Sequence, residues 1–323
     1  MKKRIIISLI IILFLFSMSI ICQKINKKKD NLEHIKVAEV THSVFYAPLY
    51  VAIEKGYFQD YGLDIELILT PGADKVSAAV LSDDVEIGFC GPESSIYVYN
   101  GKEKDYIQSF AGLTKRDGQF IVSRTKIDNF KLEDLIGKEV LGGRPGGMPI
   151  INFYNALKNE NIKGVNTNDT VDFANLTSAF LSGTGDFVNL FEPNATKLEK
   201  MNKGYVVASV GMYAGEVPYT AFNARTSYIE NNKELINNFK DAINKGLKFV
   251  KNNDSKDIAK IIIDLFPNTS IEDLTTIIER YKNADSWLDN TFITEEMFKN
   301  LEDMMIDSKL LTEYVPYKDL IIN

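Results

Sequence analysis

The chain has 323 residues, 45% of them hydrophobic and 25% charged, a globular composition with enough apolar material for more than one core. Its net charge is −7, and removal of a leader carrying Lys2, Lys3 and Arg4 takes three positive charges with it, to −10, which excludes nucleic acid as an expected partner. With two cysteines and two histidines there is no metal-ligand cluster, so neither a metal nor a cofactor is expected.

The N-terminus is a targeting segment. Lys2, Lys3 and Arg4 precede an apolar or small-residue run from Ile5 to Cys22, and the polar stretch Gln23 to Asn31 follows at once, the order expected of an exported chain. Three fates fit the run: cleavage as a secretory signal, retention as a helix of near-minimal bilayer-spanning length, or cleavage before Cys22 with lipid on that cysteine. The lipid anchor is preferred because a cysteine stands where the apolar run meets a basic tether. Ser19-Ile20-Ile21-Cys22 looks like a bacterial lipobox, although Ile21 replaces the small residue usual before the cysteine. Residues 1–22 are thus the targeting segment and 23–34 a flexible, Lys-rich tether able to touch anionic lipid. The folded part would sit on the outer face of the cytoplasmic membrane. Cys90, inside an apolar run, reads as a small buried core residue.

From Ile35 the pattern alternates strand and helix. Ile35 to Val40 is a short strand, Pro48 to Lys55 carries Leu49, Ala52 and Ile53 at helical spacing, and Leu63 to Leu69 alternates as a half-buried strand. Asp74 to Leu81 is helical, Val85 to Cys90 is the next strand, and Gly91-Pro92 opens another helix. This alternation predicts βαβ units, a largely parallel sheet, and ligand binding at carboxyl ends of strands beside helix N-termini. Residues 181–193 echo 81–93: each has a helix end, an acidic turn, an apolar strand and a loop with Glu and Pro. Two similarly built α/β lobes follow. Further on, Leu235, Phe239, Ala242, Ile243, Leu247 and Val250 form one apolar helix face, Ile258, Ile261, Ile262 and Leu265 a second, and Met297, Leu301, Met304 and Met305 a third.

Several stretches together carry a resemblance: Tyr46 to Phe58, Gly62 to Glu66, the strand and loop from Val85 to Glu93, Gly142 to Pro149, Gly185 to Pro193 and Gly215 to Phe222. On these the chain resembles the solute-binding proteins of ABC importers, in the SsuA/THI5-like (NMT1-type) group that includes sulfonate, taurine, nitrate and thiamin-pyrimidine-precursor binders. The resemblance covers nearly the whole mature chain and implies an α/β, two-lobed periplasmic-binding-protein fold (type II) with a ligand cleft between the lobes. It implies two crossovers, for which Thr114 to Gln119 and Gly215 to Tyr219 are the candidates. Lobe one would be 35–114 plus 219–323, and lobe two 115–218. The implied partners are a small solute, an ABC permease and its ATPase, and the protein is expected to act as a monomer.

Four loops should meet at the cleft, and they supply the candidate ligand residues: Thr41, His42, Phe45 and Tyr46; Gly72; Gly91, Pro92 and Glu93; Arg144, Gly146, Gly147 and Met148. Lys115, Phe191, Glu192 and Tyr219 complete the set. Glycines let backbone N–H groups approach a ligand, and a helix start leaves amides free to donate. Phe45, Tyr46, Phe191 and Tyr219 offer flat surfaces for a ring, while Glu93 and Glu192 can accept from amino groups. Convergent cations for a small anion are sparse, with Lys115 and Arg144 the only obvious ones. The ligand expected is therefore a small nitrogen heterocycle, such as a thiamin pyrimidine precursor, ahead of an alkyl sulfonate, taurine or nitrate. Glu93 has a plainer role open to it as a cap on its own helix. Trp287 either lines the cleft or seals lobe one.

An enzyme and a sensor are the readings of other classes. A pyrimidine synthase resembling these binders depends on a cysteine-rich iron motif, whereas this chain has Cys22 and Cys90 only. Gly142 to Gly147 lacks the Lys-Ser/Thr of a phosphate-binding loop, and no Gly-x-Ser-x-Gly nucleophile motif occurs. No catalysis is expected.

Overall fold

Two five-stranded sheets organise the chain in a computed structural model that describes residues 32–323. The targeting run, Cys22 and most of the tether lie outside the described residues. The strands are β1 (Glu33–Glu39), β2 (Leu63–Leu69), β3 (Ile87–Cys90), β4 (Ile107–Thr114), β5 (Phe120–Ser123), β6 (Glu139–Leu141), β7 (Asn166–Asn168), β8 (Phe187–Leu190), β9 (Tyr205–Ser209) and β10 (Thr220–Arg225). They form sheets ordered β2-β1-β3-β10-β4 and β7-β6-β8-β5-β9. β1 begins at Glu33, so the end of the segment read as tether is already strand.

The sheets are mixed rather than largely parallel, for a topological reason. In the first, β1 pairs parallel with β2 and β3, while β10 runs antiparallel between β3 and β4. In the second, β6 pairs parallel with β7 and β8, while β5 runs antiparallel between β8 and β9. The reversed strand in each sheet is the one arriving from the other: β4 leads through 115–119 into β5, and β9 leads through the short helix Val210–Ala214 and 215–219 into β10. A chain leaving one sheet at a strand's carboxyl end enters the facing sheet from the opposite direction. Both crossings therefore lie at the strand ends where ligands bind in α/β folds.

Local sequence explains the elements around these crossings. Pro48 sits in the first turn of helix Ala47–Glu54, where its missing N–H has no helical partner to lose. The helix Lys233–Asn252 buries Leu235, Phe239, Ala242, Ile243, Gly246, Leu247 and Val250, one stripe at helical spacing. Phe239 meets the rings of Phe58, Phe110 and Phe222, and each such fully buried side chain contributes about 1.5–3 kcal/mol. Among the described residues no helix is long and apolar enough to cross a membrane, and no group of three or more His, Cys, Asp or Glu could hold a metal ion.

Gly246 is where the long helix comes closest to Ala47–Glu54. A methyl group there would lie 2.2 Å from the Pro48 carbonyl oxygen and 3.1 Å from Ala52 Cβ. Alanine gains about 1 kcal/mol over glycine in helix propensity, but the obstacle is backbone, so the helices must move apart. Gly246→Ala should lose a net 1–3 kcal/mol or so in urea unfolding; an unchanged or raised midpoint would refute the close packing.

Candidate ligand-binding site

The lobes meet along a seam built by residues from both. Ser43 Oγ donates to the Glu192 carbonyl at 2.8 Å, Tyr97 Oη donates to the Gly146 carbonyl at 3.0 Å, and the Phe45 and Phe191 rings lie 5.5 Å apart. Phe45 also packs against Tyr46, Tyr219 and Tyr281. Gly118 carries no side chain because one would enter the Phe45 ring, 2.5 Å away. Trp287 lies behind this aromatic layer, with Nε1 donating to the Phe45 carbonyl at 2.7 Å.

The sequence-derived candidates divide into two groups. Phe45, Tyr46, Gly91, Pro92, Glu93, Met148, Phe191 and Tyr219 are buried, and Phe45, Glu93, Met148, Phe191 and Tyr219 converge at the seam. A side chain on Gly91 would strike both Glu93 Oε2 (1.9 Å) and Met148 Cγ (2.6 Å), which places β3's exit loop directly against the start of helix Met148–Asn159. Gly147 caps that helix, and Gly146, at φ +91°, turns the chain into it. Thr41 and Gly72 remain partly exposed in their loops.

The other polar candidates are already engaged. His42 uses both ring nitrogens, on Glu39 (2.9 Å) and the Leu265 carbonyl (3.0 Å), and the Glu39 bond raises its pKa. Lys115 pairs with Asp285 at 2.8 Å, and Arg144 pairs with Asp172 at 3.0 Å on the surface. Glu192, read from sequence as a ligand acceptor, is consumed by the fold. Its carboxylate takes Arg280 (2.8 Å), the Thr196 hydroxyl (2.9 Å) and the Thr196 N–H (2.8 Å). Burial raises its pKa, and the Arg280 charge opposes that rise.

Four residues that sequence reasoning missed complete the seam: Asp117, Gln119, Asn152 and Asn189. All are buried, and each keeps polar capacity with no protein partner: Asp117 Oδ2, Gln119 Oε1, Asn152 Oδ1, and both Oδ1 and Nδ2 of Asn189. Glu93 Oε2 and Tyr219 Oη share that condition. Buried polar groups are nearly always satisfied in folded proteins, so several orphans along one seam mark a place built for something else. Contacts link them: Gln119 Nε2 donates to the Asn189 carbonyl (3.3 Å), Gln119 N–H donates to Asp117 (2.6 Å), and Asn152 Nδ2 donates to the Met148 carbonyl (2.9 Å). These bonds settle which amide ends of Gln119 and Asn152 face outward as acceptors. A signal was available in the sequence, since Asn189 interrupts an apolar strand and Asn152 an apolar helix face. Asp117 and Gln119 lay inside a segment read only as a crossover.

Electrostatics follow from burial. Desolvation pushes the Glu93 carboxyl up to about 8, against the pull of the backbone N–H groups of Glu93, Met148 and Ser94. It raises Asp117 well above the ordinary carboxylate range, opposed by the Gln119 N–H bond and the nearby Tyr219 hydroxyl. Among the described residues no cation is paired with either one.

Two α/β lobes joined by two crossing segments over a buried polar seam define a two-lobed binding protein. The family model described as NMT1/THI5 like matches residues 44–256, and YtlA of Bacillus subtilis (strain 168), which carries the name of a proposed binding protein, is 42% identical over 298 residues, 91% of this chain and 89% of that one. This chain belongs to the NMT1/THI5-like family. In fold it is similar to the ligand binding component of an ABC-type import system from Staphylococcus aureus (TM-score 0.69, 15% identity, 90% of this chain and 96% of that one). It is similar likewise to the alkanesulfonate-binding protein SsuA from Xanthomonas axonopodis pv. citri (TM-score 0.68, 13% identity, 89% and 97%). The periplasmic-binding-protein fold is thereby assigned, and the relatives named carry the names of binding proteins, not of enzymes.

Two measurements check this account of the seam. Folded Glu93 holds its proton to about pH 8, whereas the unfolded side chain releases it near 4.5, so the folded state binds the extra proton in that window and stability falls as pH rises through it. Glu93→Gln should therefore reduce the stability lost between pH 5 and 8 by a few kcal/mol, at about 1.4 kcal/mol per pH unit, in urea unfolding; an equal loss in both proteins would contradict the buried, unpaired carboxyl. Arg280→Met should cost about 3–5 kcal/mol, because it strands the Glu192 carboxylate, and adding Glu192→Met should recover part of it.

Proposed function

We propose that this protein is the extracytoplasmic solute-binding component of an ABC-type importer, capturing a small nitrogen heterocycle that carries amino groups. The observation behind this reading is the set of orphaned polar atoms. Asp117, Gln119, Asn152 and Asn189 present unpaired acceptor oxygens, beside the Asn189 amide, the Tyr219 hydroxyl, the Arg116 Nε–H and the Glu93 carboxyl, which holds a proton to about pH 8 and can donate it. A ligand completing such a site must both donate and accept, as an amino-bearing ring with ring nitrogens does. Phe45, Phe191 and Tyr219 supply apolar ring surface beside it. A thiamin pyrimidine precursor has both properties. A sulfonate, the ligand class in the name of the Xanthomonas relative in fold, or a nitrate would meet unpaired carboxyls and find Lys115 and Arg144 already paired.

Because the seam residues are sealed from solvent, a ligand reaches them only when the lobes part. Closure then follows from its differential affinity for the closed form, and the closed form docks on a permease served by an ATPase. Lipid on Cys22 would hold the protein at the outer face of the cytoplasmic membrane; intact-mass analysis of the native N-terminus tests this, with a diacylglyceryl cysteine expected and a retained Met1 overturning it.

Thermal-shift screening of the purified chain against aminopyrimidines, alkyl sulfonates, taurine and nitrate tests the ligand class. A true ligand at a hundredfold its Kd stabilises the protein by about 2.7 kcal/mol. An aminopyrimidine should raise Tm, and Tyr219→Ala should weaken its binding while the fold persists. A shift with sulfonate or nitrate and none with pyrimidines would reverse the assignment.

A further inference from the structure

The two segments that carry the chain between lobes also carry unpaired chemistry, and the cations of the first are paired with other acids. On the first, Asp117 is 1% exposed; one carboxyl oxygen accepts the Gln119 N–H at 2.6 Å, and Oδ2 has no partner. Gln119 fixes its own orientation by donating Nε2 to the Asn189 carbonyl, which leaves Oε1 without a donor. On the second segment, Tyr219 brings a buried hydroxyl, also unpartnered, beside Asp117. The nearest cations in sequence are paired with other acids, Lys115 with Asp285 at 2.8 Å and Arg116 Nη2 with Glu216 at 3.0 Å, although Arg116 Nε is buried without a partner. The polypeptide itself therefore does not neutralise Asp117.

We infer that Asp117, Gln119 and Tyr219 form a subsite for a protonated primary amine on the ligand, distinct from the Glu93 end of the seam. An ammonium group has three N–H donors and no acceptor, and Asp117 Oδ2, Gln119 Oε1 and Tyr219 Oη present three acceptors. A neutral amide or hydroxyl on the ligand would satisfy one or two of these atoms and supply no charge to offset the desolvation of the Asp117 carboxylate. Charge-assisted bonds to a buried carboxylate are about twice as strong as neutral ones, so the subsite selects charge as well as shape. Its position matters too. Asp117 and Gln119 belong to one crossing segment and Tyr219 to the other, so an ammonium bound there ties together the two strands about which the lobes swing, and favours closure. This inference rests on the heterocycle reading for the rest of the ligand, and its test separates the two.

The experiment is calorimetric titration of the whole chain with three probes on one aminopyrimidine ring, bearing an aminomethyl, a hydroxymethyl or a methyl arm. The aminomethyl probe should bind about 10- to 100-fold more tightly than the methyl probe, as expected for one charge-assisted interaction. Asp117→Asn should erase most of that preference, and Tyr219→Phe should reduce it several-fold. Glu93→Gln should weaken all three probes together. Wild-type protein that binds the three probes alike, or an Asp117→Asn variant that keeps the preference, overturns the subsite while leaving the heterocycle reading intact. If no ring probe binds, ring-free 1,3-diaminopropane decides: binding lost in Asp117→Asn upholds the subsite and removes the ring, and no binding overturns both.

Discussion

Glu192 is the residue through which one lobe is held against the other, and every one of its polar groups is used. Its N–H donates to Tyr281 Oη at 3.1 Å, its carbonyl accepts from Ser43, and its carboxylate takes Arg280 and Thr196. Tyr281, Ser43 and Arg280 come from the first lobe; Thr196 opens the helix that follows β8 in the second. A carboxylate with no solvent contact is costly unless paired and hydrogen-bonded, so the lobes are kept in the one arrangement that meets all its requirements. Arg280 extends the same contact to Glu199, and Lys200 meets Asp273 at 2.5 Å, so the helix Ile271–Asn283 bridges the seam.

The same physical rule, applied where it fails, marks the site. Within the seam that Glu192 closes, Glu93 and Asp117 are buried without cations, and three amide side chains leave polar atoms unused. Such groups persist at functional positions because the surrounding structure holds them there and a ligand repays the desolvation. The satisfied carboxylate sets the geometry, and the unsatisfied ones set what can bind. Their separation also explains why Glu192, though it lies beside the aromatic layer, is not available to a solute.

Much of the architecture could be read from the chain, and the reasons are local. Leu63 to Leu69 alternates with period two and is β2 at those same bounds. The apolar stripe from Leu235 to Val250 is the buried face of one long helix. The echo of 81–93 in 181–193 places β3 and β8 as corresponding strands with a Glu-Pro-bearing loop after each. What misled was direction. Alternating strand and helix predicts parallel sheets, and nothing local distinguishes a strand that continues its own sheet from one that enters the facing sheet reversed, as β5 and β10 do. Similarly, Glu93 and Glu192 lie one position apart in the corresponding loops of the two echoing segments, and sequence alone does not tell their roles apart. One meets an arginine 88 residues further along the chain and the other meets none.

Periodicity, turn chemistry and the position of each polar residue within its strand or helix are encoded by neighbours a few residues apart, and that is why elements, the two-lobed class and the aromatic candidates around Phe45 and Tyr219 could be taken from the chain alone. Whether a buried polar atom is satisfied depends on partners brought from distant segments, with Arg280 against Glu192, Gln119 against Asn189, and Met148 against Glu93. Pairing across the fold, and the desolvation that makes pairing obligatory, decided which carboxylates are satisfied within the structure and which are not.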